Sequence, residues 1–203
     1  MKPPLLSILT PSVWSRASQA DALRRKIEAQ ITEMNLSGTV EHLVLIDNRC
    51  RSIGLKRQAL ADSARGRYIA FVDDDDDVSA DYVSTLVTAI ITGGGEDVIT
   101  FEQECVYNGK PFHVTFQLGA RDERLDTGGA DHQRVTRGPW HVCAWQREKI
   151  THCRFLDCNY GEDFAWVSQA RLVAKTSHHI PRVLHFYRHD AKTTLAPEVR
   201  AAA

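Results

Sequence analysis

The chain of 203 residues contains no apolar run approaching the roughly 18 residues of a transmembrane helix. Its opening, MKPPLLSILTP, has neither the apolar stretch nor the cleavage site of a signal peptide, so a soluble, cytoplasmic protein without membrane insertion is expected. Net charge is scarce as well. Lys and Arg number 25 against 26 Asp and Glu, a formal net charge of -1, which excludes a globally basic nucleic-acid binder. Cysteines are few and odd in number, five with no CxxC pair, which argues against a disulfide framework. His141, Cys143, Cys153 and Cys158 match no common zinc spacing, so buried reduced thiols are the expectation. Lysine is outnumbered by arginine, the better match to planar, bidentate phosphate groups. No repeat or low-complexity linker interrupts the chain, whose length suits one domain with a full core.

The charge that the whole lacks is concentrated in one place. Residues 66–78 read GRYIAFVDDDDDV: an unbroken apolar stretch fit for a strand buried on both faces, then Asp73, Asp74, Asp75, Asp76 and Asp77. Adjacent carboxylates repel and raise one another's pKa, and a bound cation is the simplest remedy. In an open α/β sheet, the carboxyl end of a strand is where ligands bind. Oxygen ligands without a dedicated cage suit Mg or Mn, with phosphate oxygens completing the shell. An EF-hand loop starting at Asp73 fails, because its sixth position is Val78 rather than Gly and its twelfth is Ser84 rather than Glu.

Around this stretch the pattern alternates strand and helix. Residues 5–10 read as a first strand, ended by Pro11. A helix follows from Ser18, its N-cap, with Leu23, Ile27 and Ile31 on one face and a stop at residues 35–38. Residues 40–46 form a second strand with Asp47 at its carboxyl end. The segment after it places Arg49, Arg51, Lys56 and Arg57 around Gly54, on the sheet edge that the aspartates share, where they would face a diphosphate. Ser79 is expected to cap a helix that Gly93, Gly94 and Gly95 stop. Residues 97–101 read as a strand and residues 102–116 as a hairpin turning at Asn108 and Gly109. Residues 119–137 hold no periodicity and read as a long loop, either an acceptor-binding flap or disorder. Glu162 and Asp163 open a further helix, favoured there by its dipole. A last strand spans 184–189, and the tail from 191 reads as frayed.

An Asp ending strand two, an Asp-x-Asp ending strand three and a Gly-Glu-Asp near 162 stand in one order. With these the chain resembles the family 2 glycosyltransferases over roughly residues 5–190. Gly66, Tyr68, Phe71, Val72, Asp73, Asp75 and Asp76 match that family's recurring string. The resemblance implies an α/β fold of the GT-A, Rossmann-like type, a mixed but mostly parallel sheet flanked by helices in a single domain. It implies a nucleotide-binding half at about 1–100 and an acceptor-binding half at about 101–190. It also implies a nucleotide-sugar donor, a UDP-sugar in the favoured case, and Mn2+ or Mg2+ as cofactor. Thr10, Asp47, Lys56, Arg57, Asp73 and Asp74 would bind the nucleotide sugar, with Asp47 reading the base. Asp75 would be the principal metal ligand, and His189, or else His185, the histidine near the diphosphate. Gln58 stands where the family usually has Asn. Asp163 would be the catalytic base of an inverting transfer, and Trp140, His141 and Glu162 would face the acceptor.

Two other readings fit some of the same residues. Asp74, Asp76 and Val78 match the nucleophile motif of haloacid dehalogenase-type phosphatases, although two strands and a helix precede it here. A nucleotide-sugar binding module without turnover is the non-catalytic reading. The acceptor is a saccharide or a hydroxymethylated DNA base; for DNA, the arginines of 119–137 would hold phosphates and Trp140 would stack a base.

Overall fold

The computed structural model describes residues 2–189 apart from 125, 127 and 131. In chain order its elements are β1 (Leu6–Val13), a 3-10 turn (Trp14–Arg16), α1 (Ala17–Glu33), β2 (Val40–Asp47), α2 (Ile53–Ser63), β3 (Tyr68–Phe71), β4 (Asp77–Val78) and α3 (Tyr82–Thr92). β5 (Val98–Tyr107), β6 (Lys110–Phe116), β7 (Gln133–Arg137), β8 (Ala144–Gln146), a 3-10 turn (Arg147–Ile150), α4 (Glu162–Val173) and β9 (Ser177–His189) complete the set. The terminal segment 190–203 lies outside the described residues.

One mixed sheet runs through the α/β domain. β1 lies at the centre of a parallel trio, between β2 and β3. β8 joins β3 to β5 by antiparallel pairing on both sides. β5 carries β8 and then β6 on one edge and β9, parallel, on the other. Parallel and antiparallel pairings are equally frequent among the described strands, so the sheet is mixed rather than mostly parallel.

β3 is buried on both faces, as its unbroken apolar run requires. Gly66, just before it, lies so close to β1 that a Cβ there would sit 2.5 Å from the Ser7 amide nitrogen. Asn108 and Gly109 both take positive φ, 49° and 82°, in the two-residue hairpin turn between β5 and β6.

Several boundaries differ from those the sequence suggests. β1 continues through Pro11 to Val13, paired with β2 alone beyond Leu9. Strand alternation turns Pro11 toward the side on which β3 has already ended, so its missing N–H costs no ladder bond. Ser18 does not cap α1, which starts at Ala17 straight from the preceding 3-10 turn. Nor does Ser79 cap α3; its hydroxyl bonds Asp81. The buried Gln30 of α1 does that work from outside, accepting from the Val83 amide (3.0 Å) and donating to the Ser79 carbonyl (2.9 Å). The 119–137 segment is not structureless throughout, since β7 pairs in parallel with β6. β9 begins at Ser177, seven residues ahead of the expected strand, and absorbs Pro181 at a break in its register with β5. Cys105, Cys143 and Cys153 are buried free thiols as expected, whereas Cys50 is exposed.

Candidate active site

Because β1, β2 and β3 are parallel, their carboxyl ends deliver Ser12, Asp47 and Asp73 to one edge of the sheet. The chain after β3 turns at once, the Asp76 amide donating to the Asp73 carbonyl (3.1 Å), and β4 then locks the exit by pairing with β9. This geometry fans the five carboxylates out to partners on several other elements. Arg57 Nη2 donates to both oxygens of Asp73 (2.8 and 2.7 Å), and its Nη1 pairs with Glu162. Ser12 Oγ donates to Asp74 Oδ2 (2.6 Å). Arg16 forks across two neighbours, Nη2 on Asp74 Oδ1 (2.7 Å) and Nη1 on Asp75 Oδ2 (2.6 Å). His185 Nε2 stands 3.3 Å from Asp76 Oδ2, and Lys26 Nζ donates to Asp77 Oδ1 (2.6 Å). The repulsion that seemed to require a bound cation is met largely by the protein's own cations.

The balance is incomplete. Burial pushes Asp74 and Asp76 up to about 6 and moves Asp75 upward as well. Burial would do the same to Asp73, but Arg57, with His141, holds it well below the usual carboxylate range. For Arg57, burial is outweighed by Asp73, Glu162 and Asp163, which raise its pKa further. Asp76 Oδ1 is buried without a hydrogen-bond partner among the described residues. Asp75 keeps 35 % of its side chain exposed and commits one oxygen to Arg16. No three His, Cys, Asp or Glu side chains form a metal cage among the described residues. Of the five carboxylates, Asp75 is the one whose exposure and uncommitted oxygen could hold a divalent cation together with phosphate and water.

The facing wall is the start of α4. Gly161, with φ of 80°, turns the chain into the helix, and Glu162 goes inward to Arg57. Gly54 on α2 makes this possible, since a Cβ there would fall 1.8 Å from the Leu156 carbonyl oxygen and hold α2 away. Asp163 accepts from Trp140 Nε1 (3.3 Å) and from the Phe164 amide (2.7 Å). No Lys or Arg lies within ion-pair distance of it among the described residues. His141 stands between the two walls, 3.9 Å from both Asp73 and Asp163, with neither ring nitrogen hydrogen-bonded among the described residues. Burial and then Arg57 lower its pKa, which disfavours the imidazolium form.

This architecture has known counterparts. The fold is similar to that of S. aureus TarS. Crystal structures of TarS 1-349 alone, with UDP-GlcNAc and with UDP each superpose with a TM-score of 0.62 at 15% identity, over 90%, 91% and 91% of this chain. The chain spans 60%, 58% and 60% of those TarS chains in turn. No protein-family model and no curated protein matches the sequence.

The structure links Asp47, Arg57, Asp73, Asp74, Asp75, His141, Glu162 and Asp163 through one network of contacts but alters what several can do. Asp47 accepts from the Arg49 and Arg51 amides (3.1 and 3.0 Å) and from Lys56 Nζ (3.1 Å). Thr10 is fully buried and spends its hydroxyl on His42. Lys56 is buried too, bound to Asp47 and to the Ser12 carbonyl (2.9 Å), so neither it nor Arg57 is a free cation awaiting phosphate. Trp140 is no open stacking platform, because Arg137 and Arg171 lie over its ring, 5.0 and 5.2 Å from the centroid. His185 is fully buried against Asp76 and Gln103 and presents no exposed surface to a ligand. His189 ends β9 opposite Tyr107, and its side chain lies outside the described part. Ser12, Arg16 and Gln30 were missed by sequence reasoning. For Arg16 a signal existed, a cation on the segment leaving β1 at the same sheet edge as the aspartates.

Proposed function

We propose that the chain is a metal-dependent, inverting glycosyltransferase of the GT-A fold, akin to family 2, that uses a nucleotide sugar, a UDP-sugar before others. The observation that carries this reading is the meeting of Asp47, the 73–76 turn and the cation-free Asp163 at one sheet edge. The fold it occurs in is one that TarS presents with UDP and UDP-GlcNAc bound.

Each residue has a task that its surroundings suit. Asp47, fixed as an acceptor by two amides and Lys56, faces the N–H of a pyrimidine base. Asp73, kept ionised by Arg57, takes the ribose hydroxyls. Asp75 and the donor diphosphate would hold Mn2+ or Mg2+, which supplies Lewis-acid stabilisation of the leaving group's charge. Asp163 takes the proton of the acceptor hydroxyl as that oxygen bonds to the anomeric carbon. The bond from that carbon to the diphosphate oxygen breaks on the opposite face, and the anomeric centre inverts. Trp140 Nε1 aims the carboxylate. The acceptor is a saccharide or a hydroxymethylated DNA base. The arginines over Trp140 remove the stacking site that a DNA base would use and weigh toward a saccharide. The phosphatase reading loses ground because its nucleophile would be Asp74, whose side chain is wholly buried and held by Ser12 and Arg16.

The test is the melting temperature of wild type and Asp75→Ala with Mn2+ or Mg2+ and a panel of nucleoside diphosphates and nucleotide sugars. A metal-dependent rise with UDP or UDP-sugars, absent in Asp75→Ala, is expected. No rise with any nucleotide would overturn the reading.

A further inference from the structure

Arg16 sits on the 3-10 turn between β1 and α1, outside the set of residues that the family resemblance supplies. Its fork joins the buried Asp74 to the half-exposed Asp75, the carboxylate best placed to hold a cation. Arg57 is already consumed, because it pairs with both Asp73 and Glu162. Arg16 is thus the charge that balances Asp74 and Asp75 when nothing is bound. A divalent cation arriving alone must either break a charge-assisted pair of 2.6 Å or take the other oxygen of Asp75 beside the like charge of the guanidinium. A cation arriving with a diphosphate brings oxyanions that a planar guanidinium accepts in bidentate fashion. Arg16 can make that exchange cheaply. It keeps 24 % of its side chain exposed, and its Nε has no hydrogen-bond partner to give up among the described residues.

We propose that Arg16 is a counter-ion latch: it holds Asp75 against free divalent cations and passes to the diphosphate when cation and nucleotide bind together. The inference rests on the transferase reading and deepens it, making metal and nucleotide bind as a coupled pair rather than metal first. Coupling between two ligands is reciprocal, so it is measurable from the metal side alone.

The experiment is Mn2+ binding, followed by electron paramagnetic resonance, to wild type, Arg16→Ala and Arg16→Lys, each without nucleotide and with saturating UDP. Without UDP, Arg16→Ala is expected to bind Mn2+ at least about fivefold more tightly than wild type. UDP should tighten Mn2+ binding to wild type by a factor at least about fivefold larger than its effect on Arg16→Ala. Arg16→Lys, which keeps the charge and loses the fork, should fall between them. It also serves as the working variant if Arg16→Ala does not give a cooperative melt. Smaller differences on either measure overturn the latch. Failure of the transferase reading looks different: UDP then leaves the wild-type melting temperature unmoved, while the nucleotide-free Mn2+ comparison still reports whether Arg16 guards Asp75.

Discussion

The acidic turn after β3 and the first turn of α4 face each other through Arg57 and His141, and each presents carboxylates, but they are anchored by different forces. The turn is fixed by polar partners: Arg57, Ser12, Arg16, His185 and Lys26 each take one or two of its side chains. Asp163 rides on a helix fixed by packing. Trp166, one turn along, stacks on Phe155 (centroids 5.0 Å apart) and meets Phe71 and Trp145 edge-on. Phe71 is the last residue of β3, so the same aromatic cluster ties the helix to the strand that launches the turn. The contrast fits the two tasks proposed for them. A base must keep its position through the reaction, which close packing secures. A donor site that gains a cation and a diphosphate needs partners that can be exchanged.

The largest effect should come from the packed side. Asp163→Asn is expected to lower sugar transfer by about 10²–10⁴-fold while UDP binding stays as in wild type, measured by initial rates beside calorimetry. Retention of most activity would remove Asp163 as the base. Trp166→Ala should cost about 3–5 kcal/mol in denaturant unfolding, the price of a cavity in the aromatic cluster. A loss under about 1 kcal/mol would mean that α4 is not held by that stack. On the polar side the signature is pH. The folded-state pKa of Asp76 is raised to about 6 by burial, above its unfolded value, so its ionised form opposes folding. Relative to Asp76→Asn, wild type should lose on the order of 2 kcal/mol as the pH rises from about 4 to about 7. A difference that stays flat with pH would show that Asp76 is not perturbed. The smallest change is expected at the rim: Lys26 and Asp77 are both substantially exposed, and Lys26→Ala should cost under about 1 kcal/mol, less in high salt.

Much of the frame was legible because it rests on short-range rules. An apolar run of β3's length, helical spacing in α1 and the Asn108–Gly109 pair each carry their own structural preference. The parallel trio follows from alternation of strand and helix, and with it the shared edge that gathers Asp47, Asp73 and their neighbours. Boundaries slipped where a tertiary neighbour overrode a local signal. Pro11 stays in a strand because β3 stops short beside it, and α3 is capped by Gln30, a residue more than fifty positions earlier. Trp140 reads as an exposed aromatic until Arg137 and Arg171 are found lying over it.

By itself, the sequence determined that five like charges would stand together at the end of a buried strand and that Glu162 and Asp163 would open a helix, since both follow from neighbours along the chain. Only the tertiary structure decided which carboxylate is neutralised and which is left without a cation. Arg57 reaches Asp73 and Glu162, Arg16 bridges 59 positions to Asp75, and Asp163 is passed by. Pairing of that kind depends on distances of a few ångströms between side chains far apart in sequence, and Coulomb energy and burial are set by those distances, not by composition.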